Sequence, residues 1–336
     1  MNSLTSQPIE GYFVVTNEGL VFEVKGVIQP VDRLIAYLRY VPDPSGNRQS
    51  RDGLRFSKVY DLEKRNRYLR EKHPQYLWYD EKRGRVLQAV PNDCVSYVLS
   101  PIDGLRQLRD LGLHMTALEE ASQSLAQSIV DKAGIESSDI GLTGSQLVGL
   151  DTSQSDIDLV VYGARQAKRV HAVLRDSSLP RTKRYHGDRL ERHLDFRWKG
   201  HSRWRSVLKK IEAKKALQGL YDWIDFFVRA VKLPDEMGYS YDDFTFECKG
   251  TRVVDCVVTN DSDSIFTPCT YLVQCEELPD LSRLVSYRGR FTEHVHRSER
   301  VEARGRLELV RNVTKAESFY QLVLGEDSFD YLVPVI

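Results

Sequence analysis

The stretch Leu142–Gly163 reads LTGSQLVGLDTSQSDIDLVVYG and holds the clearest pattern in the chain. Near its end, Asp156 and Asp158 alternate with Ile157 and Leu159. Alternate residues of a β-strand share one face, so this spacing predicts that both carboxylates point the same way, with Cα atoms roughly 7 Å apart. The apolar residues then anchor the other face of the strand in the core.

Two carboxylates on a rigid strand suit hard divalent cations, because Mg²⁺ and Mn²⁺ prefer oxygen ligands. Two such ions about 4 Å apart stabilise the attacking and leaving oxygens when a phosphoryl group is displaced. Upstream lies Gly144, and a glycine allows a ligand to approach the backbone closely. The N–H groups that follow it and the Ser145 hydroxyl are suited to bind phosphate oxygens. We therefore expect a phosphate loop beside a metal-binding strand.

The complete pattern is Gly144 and Ser145, ten intervening residues, and then Asp156 and Asp158 between apolar neighbours. This pattern resembles the nucleotidyltransferase superfamily typified by DNA polymerase β, and the four residues match its motif one for one. The resemblance implies Mg²⁺ or Mn²⁺ at the two aspartates and a nucleoside triphosphate, ATP among the candidates, at the Gly-Ser loop. Without the Gly-Ser element, the same acids would indicate only an exposed strand with solvated carboxylates.

Two further segments, Ala36–Asp43 and Asp263–Cys269, make the whole chain similar to uncharacterised archaeal and bacterial proteins predicted to be nucleotidyltransferases. The superfamily also implies a third carboxylate on a later strand, for which Asp225 is the main candidate. Asp225 lies in an apolar run, where a lone acid is costly unless it is paired or bound to metal. A salt bridge to Arg229 or another base is the competing interpretation. Asp195 and Asp222 are the next candidates for the third carboxylate.

The segment 181–215 is strongly basic, with 13 Lys or Arg against 4 Asp or Glu, an excess of nine (13 − 4). Aromatic residues are interleaved with these charges, a composition that suits phosphate backbones and stacked bases. Arg184 and Arg192 are our candidate nucleotide ligands. We assign part of the charge to a solvated helical face over 206–220 and part to nucleotide or nucleic acid.

We expect an α/β fold of the α+β kind with three domains. A nucleotidyltransferase core with a mixed β-sheet is predicted over 111–235, between an N-terminal α/β domain over 1–110 and a C-terminal β-rich domain over 236–336, for which a barrel is one arrangement. Hydrophobic periodicity predicts a β-hairpin over Tyr12–Val24 and a helix from Thr116 to Gly134.

The composition of the chain limits the classes of partner and compartment that we expect. The chain has 336 residues, is 41% hydrophobic and carries 48 basic and 48 acidic residues, so overall charge indicates no nucleic-acid or membrane partner. The five cysteines form no C-x-x-C pair, and the N-terminal MNSLTSQPIEGY lacks the features of a signal peptide. We expect a reduced, soluble, cytoplasmic protein.

No P-loop, dinucleotide-binding, zinc-protease or hydrolase motif occurs in the sequence. His294 and His296 lack a further metal ligand and are expected to be ordinary surface residues. Three functions stay open at this stage. The first is an active transferase with RNA, tRNA or protein as acceptor, the second a degenerate nucleotide- or RNA-binding module, and the third an interaction protein that only uses the fold.

Overall fold

A computed structural model describes residues 7–335, so the first six residues of the N-terminal segment considered above lie outside the described part. The described residues form seven α-helices and three β-sheets of eight, five and six strands. The chain is therefore a mixed α+β protein, which confirms the predicted class at this level.

The N-terminal sheet contains the predicted hairpin, in which Phe13 pairs with Glu23 and Val15 pairs with Val21. Its order is β4-β5-β3-β2-β1-β8, and β7 joins β3 to β6. One helix, α1 (Leu62–Lys72), belongs to this unit. The strands are β1 (Phe13–Thr16), β2 (Val21–Val24), β3 (Arg33–Pro42), β4 (Arg48–Gln49), β5 (Arg55–Lys58), β6 (Leu77–Asp80), β7 (Arg85–Pro91) and β8 (Val95–Leu99).

The central sheet has the order β11-β12-β13-β10-β9. Strand β10 is parallel to β13 and antiparallel to β9, so this sheet is mixed. Its strands are β9 (Ile140–Leu142), β10 (Ile157–Tyr162), β11 (Thr182–Lys183), β12 (Gln218–Tyr221) and β13 (Ile224–Val231). The remaining helices are α2 (Pro101–Leu111), α3 (Ala117–Ala133), α4 (Gly144–Val148), α5 (Ala164–Arg175), α6 (Gly187–Arg197) and α7 (Arg205–Glu212).

The two faces of β10 are buried against different partners. Ile157 and Leu159 pack with residues of α3 and α5 in the main core. Val160, on the opposite face, packs against Ile9 and Val27 of the N-terminal unit. The predicted alternation is thus confirmed from Ile157 onward, and Asp158 shares the face that is turned toward the N-terminal unit. Asp156, which was expected on the same strand, lies directly before its first residue.

Helix α3 begins and ends where its sequence predicts. The Thr116 side chain accepts a hydrogen bond from the Glu119 N–H, and the Glu119 carboxylate accepts one from the Thr116 N–H. Gly134 ends the helix in the left-handed conformation, at φ 57°. Across residues 7–335, none of the helices combines the length and apolar character required to cross a membrane.

The C-terminal sheet closes on itself. Its order is β14-β15-β16-β18-β17-β19, and β14 also pairs with β17, so five strands form a barrel to which β19 is added. Leu194, Trp198 and Leu208 of the α6–α7 region share the hydrophobic core of this barrel. Its strands are β14 (Phe244–Asp263), β15 (Cys269–Gln274), β16 (Leu281–Ser286), β17 (Arg300–Asn312), β18 (Glu317–Leu324) and β19 (Tyr331–Pro334).

The helical face predicted over 206–220 is wrong in its second half. Helix α7 ends at Glu212, and Gln218–Tyr221 is strand β12. All four residues of β12 are buried because the strand lies between β11 and β13. A surface helix buries only one stripe of its residues, so four successive buried positions do not suit one.

A buried ion network joins the N-terminal unit to the central sheet. Arg229 of β13 contacts the carboxylates of Glu10 and, at 2.9 Å, Glu23. Lys25 contacts the same two carboxylates, at 3.1 Å and 2.7 Å. The side chains of Glu10 and Glu23 are only 1% and 5% exposed, so each carboxylate depends on these cations for its stability in the interior.

Removing Arg229 should therefore leave two buried carboxylates short of charge compensation. We expect Arg229→Met to lower the free energy of unfolding by about 3–5 kcal/mol, measured in urea. Arg300→Met is the matched control, because Arg300 forms an exposed pair with Asp255 on the barrel and should change stability little. Equal losses from the two substitutions would contradict the structural role of the network.

His294 is not a surface residue, so that expectation was wrong. Its ring is buried, and Nε2 donates to the carbonyl of Leu332 at 2.7 Å. Burial lowers the pKa of His294 to about 3, and the charge of Lys215 contributes to the shift. The neutral ring is therefore the form that the folded barrel accommodates.

This pKa makes the barrel sensitive to acid. The folded-state pKa of His294 lies below the unfolded value of about 6.5, so the unfolded chain binds the proton first as the pH falls. The stabilising effect of the neutral His294 ring on the fold is complete above about pH 6.5 and is lost progressively as the pH falls toward 3.

We expect His294→Gln to lose less unfolding free energy than the wild type between about pH 7 and pH 5, measured in urea. His296→Gln, at an exposed ring, should keep the wild-type slope, and an unchanged slope for His294→Gln would refute the assignment.

Candidate nucleotide and metal site

The Gly-Ser element and strand β10 are in direct contact. Gly144 begins α4 with φ +68°, and a Cβ placed on it would lie 2.1 Å from Oδ2 of Asp158. The Thr143 N–H donates to the Asp158 carbonyl at 2.9 Å, which fixes the end of β9 beside β10. Glycine is therefore the residue that fits here without strain, both for its φ and for the approach of the carboxylate.

Ser145 lies in the same turn and is buried. Its carbonyl accepts from the Leu150 N–H at 3.0 Å, which folds the chain back toward β10. Arg48 of the N-terminal sheet holds this return loop by donating to the Leu150 carbonyl and to the Thr152 hydroxyl, each at 3.3 Å. The loop that follows the Gly-Ser element is thus held in place by a second unit of the protein, and phosphate binding by it stays a prediction.

The two aspartates differ in their surroundings, since Asp156 is exposed and Asp158 is half-buried. Burial raises the pKa of Asp158 to about 7, and the negative charge of Asp156 adds to the rise, while Arg229 and Arg39 oppose it. The ionised form of Asp158 is therefore poorly compensated by the protein alone. A bound cation would compensate both the burial and the repulsion between the carboxylates.

These residues fit a divalent cation. Asp156 and Asp158 supply oxygen donors, the preferred ligands of Mg²⁺ and Mn²⁺. The missing Cβ of Gly144 leaves space at the Asp158 carboxylate. Mg²⁺ is commonly held by one or two carboxylates together with substrate phosphates, so a pair of acids is a sufficient protein contribution.

Asp225 lies at the same end of the sheet. Its neighbour Phe226 is the register partner of Ile157, and both Asp225 and Asp156 raise the pKa of the buried Tyr185 hydroxyl, after burial itself. Its carboxylate accepts a hydrogen bond from Arg189 at 3.1 Å. Within residues 7–335, no three carboxylate, histidine or cysteine groups are gathered as a metal site. The pairing predicted as the alternative for Asp225 therefore exists, with Arg189 in place of Arg229.

The other two candidates for a third carboxylate are also paired. Asp195 lies on α6 and accepts from Arg205 at 2.6 Å. Asp222 lies in the turn between β12 and β13 and accepts from Arg181 at 3.0 Å. Both are exposed. Neither carboxylate is placed beside Asp158 by any contact in the described chain.

The basic segment divides into paired and unpaired charges. Arg181, Arg189, Arg205, Lys209 and Lys215 form ion pairs with carboxylates. The other eight cations (13 − 5) have no carboxylate within 4 Å among the described residues. They are Lys183, Arg184, Arg192, Arg197, Lys199, Arg203, Lys210 and Lys214.

The two arginines proposed as nucleotide ligands have different environments. Arg184 donates to the carbonyl of Arg175 at the end of α5. Arg192 is exposed on α6, and no contact brings it to Asp156 or Asp158 in the described structure. Their role as nucleotide ligands stays a prediction.

Helix α6 contributes two arginines that the sequence analysis did not single out. Arg189 reaches Asp225, and Arg197 lies 5.5 Å from the ring of Phe227, the register partner of Asp158. Residues 189, 193 and 197 recur at intervals of four, which places them along one side of a helix. This spacing is the signal that could have identified them.

Gly144 and Gly149 form a matched pair for testing the contact with Asp158. Both have a left-handed φ, +68° and +70°, but a Cβ on Gly149 meets no atom within 4 Å. Gly149→Ala should cost about 1–2 kcal/mol for the backbone conformation alone. Gly144→Ala should cost about 1–3 kcal/mol more, because the Asp158 side chain must move. Unfolding in urea measures both, and equal costs would contradict the observed approach.

The fold and the site define a mixed α+β protein in which Asp158, near the start of β10, contacts a turn that begins with Gly144. The chain is 26% identical over 328 residues to the uncharacterized protein MJ1086 of Methanocaldococcus jannaschii. The alignment covers 93% of this chain and 94% of that relative. No protein-family model and no solved structure matches the chain.

Proposed function

We propose that this protein is a metal-dependent nucleotidyltransferase. It moves a nucleoside monophosphate from a nucleoside triphosphate to an acceptor hydroxyl and releases pyrophosphate. The observation that carries the proposal is the close approach of Gly144 to the Asp158 carboxylate, with Asp156 two residues earlier, directly before β10 begins. This arrangement is suited to bind a triphosphate and its cation next to each other.

Each residue then has a defined role. Asp156 and Asp158 hold Mg²⁺ or Mn²⁺, which when bound neutralises charge on the phosphates. The turn at Gly144 and Ser145 binds phosphate oxygens through its N–H groups and hydroxyl. Asp225 lies at the same end of the sheet and accepts the proton of the acceptor hydroxyl once Arg189 has moved away.

The surface around Asp225 favours RNA, tRNA included, as the acceptor over a protein. Eight cations of 181–215 have no carboxylate partner within residues 7–335. Trp223 and Phe196 are 76% and 79% exposed, and Arg189 connects Trp223 to Asp225 through the Trp223 carbonyl. Exposed aromatic rings among cations suit stacked bases and a phosphate backbone.

We expect transfer of label from an α-labelled nucleoside triphosphate in the presence of Mg²⁺ or Mn²⁺ and total tRNA. Asp156→Asn and Asp158→Asn should each lower the rate at least about 100-fold, because each removes a ligand of the cation. Asp195→Asn is the matched control, since that carboxylate pairs with Arg205 on the surface, and its rate should stay near the wild type. Transfer that survives in both strand variants would contradict the proposed site.

A degenerate nucleotide- or RNA-binding module is the second candidate. The pairing of Asp225 with Arg189 favours it, because the described chain gathers no third carboxylate beside the first two. Under this alternative the chain binds nucleotide in a metal-dependent manner without turnover.

Asp225→Asn separates the two candidates. In an active transferase this change should lower the rate of transfer while nucleotide affinity is retained. In a binding module the wild type shows no transfer, and nucleotide affinity is lost only in Asp156→Asn and Asp158→Asn. Absence of both transfer and nucleotide binding would refute both candidates and leave only the fold.

A further inference from the structure

A separate cavity lies between the N-terminal sheet, the connection over 232–243 and the C-terminal barrel. Its volume is about 430 Å³, within the range of small-molecule sites in proteins. No residue of 144–158 lines it, so it is distinct from the site of the two aspartates. All three parts of the chain contribute to its wall, for example Tyr37, Tyr239 and Tyr287.

The wall of this cavity includes aromatic side chains that are partly exposed to solvent. Tyr239 and Tyr287 keep 38% and 40% of their surface exposed. Burial nevertheless raises the pKa of Tyr239 to about 12, so its hydroxyl lies in a largely enclosed place. Exposed aromatic faces inside a cavity are the surface that a planar ligand would cover.

The charges on the wall are predominantly positive. Six cations and three carboxylates line the cavity, an excess of three (6 − 3). The cations are Lys25, Arg83, Arg85, Lys232, Arg283 and Arg288, and the carboxylates are Glu236, Asp263 and Glu326.

Like Arg288, Arg283 has no ion pair with a carboxylate among residues 7–335, whereas the other four cations are paired. Its Nε donates to Gln321 at 3.0 Å, and its terminal nitrogens donate to no residue among 7–335. Glu308 acts on it at a distance but is already bound to Arg306 and to Gln321. Burial lowers the pKa of Arg283, in keeping with the lack of an ion pair at its guanidinium within residues 7–335.

A second arginine converges on the same place from the N-terminal sheet. The Arg83 guanidinium is oriented by Asp80 at 3.0 Å and lies 5.0 Å from the Tyr241 ring. Arg83, Arg283 and Tyr239 all line this cavity, and the charge of each arginine lowers the pKa of Tyr239, against the effect of burial. Two guanidinium groups on the wall of one cavity, together with a partly exposed tyrosine, form an arrangement suited to bind an oxyanion.

We propose that this cavity binds a small molecule in which a planar aromatic ring carries a phosphate or carboxylate group. The ring lies against Tyr239 and Tyr287, and the anionic group lies between Arg83 and Arg283. The two arginines supply bidentate donors, and the tyrosines supply apolar surface at a low cost in side-chain entropy. This inference does not depend on the proposed transferase activity.

Calorimetric titration of the full chain in EDTA tests the cavity alone, because nucleotide binding at the two aspartates needs a divalent cation. The probes are two matched pairs, adenosine monophosphate with adenosine and indole-3-carboxylate with indole, together with inorganic phosphate. We expect at least one of the two aromatic acids to bind, and its uncharged partner to bind at least tenfold more weakly. Which acid binds distinguishes a phosphate from a carboxylate ligand.

Three variants locate the binding. Arg283→Met and Tyr239→Ala should each weaken it at least tenfold, whereas Arg300→Met, at an exposed arginine of the same barrel, should leave it unchanged. Circular dichroism checks that each variant is folded, and Arg283→Lys replaces a variant that is not, with a smaller loss expected.

The proposal is overturned if neither acid binds, if the uncharged partners bind equally well, or if Arg283→Met keeps full affinity. It is also overturned if Asp158→Asn abolishes binding in EDTA, because the ligand would then occupy the strand site. Binding in EDTA by a chain that shows no nucleotidyl transfer would support the cavity while the transferase proposal fails.

Discussion

The contact on which the rest of the site depends is the ion network of Arg229 with Glu10 and Glu23. Arg229 belongs to β13, the strand beside the two aspartates, and the glutamates belong to the N-terminal unit. Because the carboxylates are almost fully buried, the two units cannot separate without breaking the ion pairs between Arg229 and the two glutamates. The same guanidinium also acts on Asp158, so the contact that joins the units sets part of the electrostatics of the candidate site.

The chemistry requires a second constraint, the close approach of backbone and carboxylate at Gly144. The left-handed turn, the hydrogen bond from Thr143 to the Asp158 carbonyl and the missing Cβ together fix the Asp158 side chain beside the Gly-Ser loop. The protein thereby holds one poorly compensated carboxylate next to another at the point where a phosphate would lie. A cation and a triphosphate complement this arrangement, which is why we favour nucleotidyl transfer over a purely structural role for these acids.

Sequence periodicity predicted much of the fold, because local patterns determine local structure. The alternation in β10, the capping residues of α3 and the hairpin of β1 and β2 all depend on near neighbours. Contacts between distant segments have no such signal. Three features arise from tertiary packing, and the sequence analysis missed or misassigned them. They are the pairing of Arg189 with Asp225, the burial of His294 with its ring bonded to the Leu332 carbonyl, and the inclusion of Gln218–Tyr221 in a sheet.

The most direct test of the account is whether the two aspartates bind a divalent cation together with a nucleotide. Electron paramagnetic resonance can count bound Mn²⁺ in the full chain with and without a non-hydrolysable nucleoside triphosphate. The account predicts that the wild type binds Mn²⁺ more tightly when the analogue is present, and that Asp158→Asn weakens this binding at least tenfold, a loss of about 1.4 kcal/mol or more. Equal Mn²⁺ affinity in the wild type and Asp158→Asn would contradict the central claim.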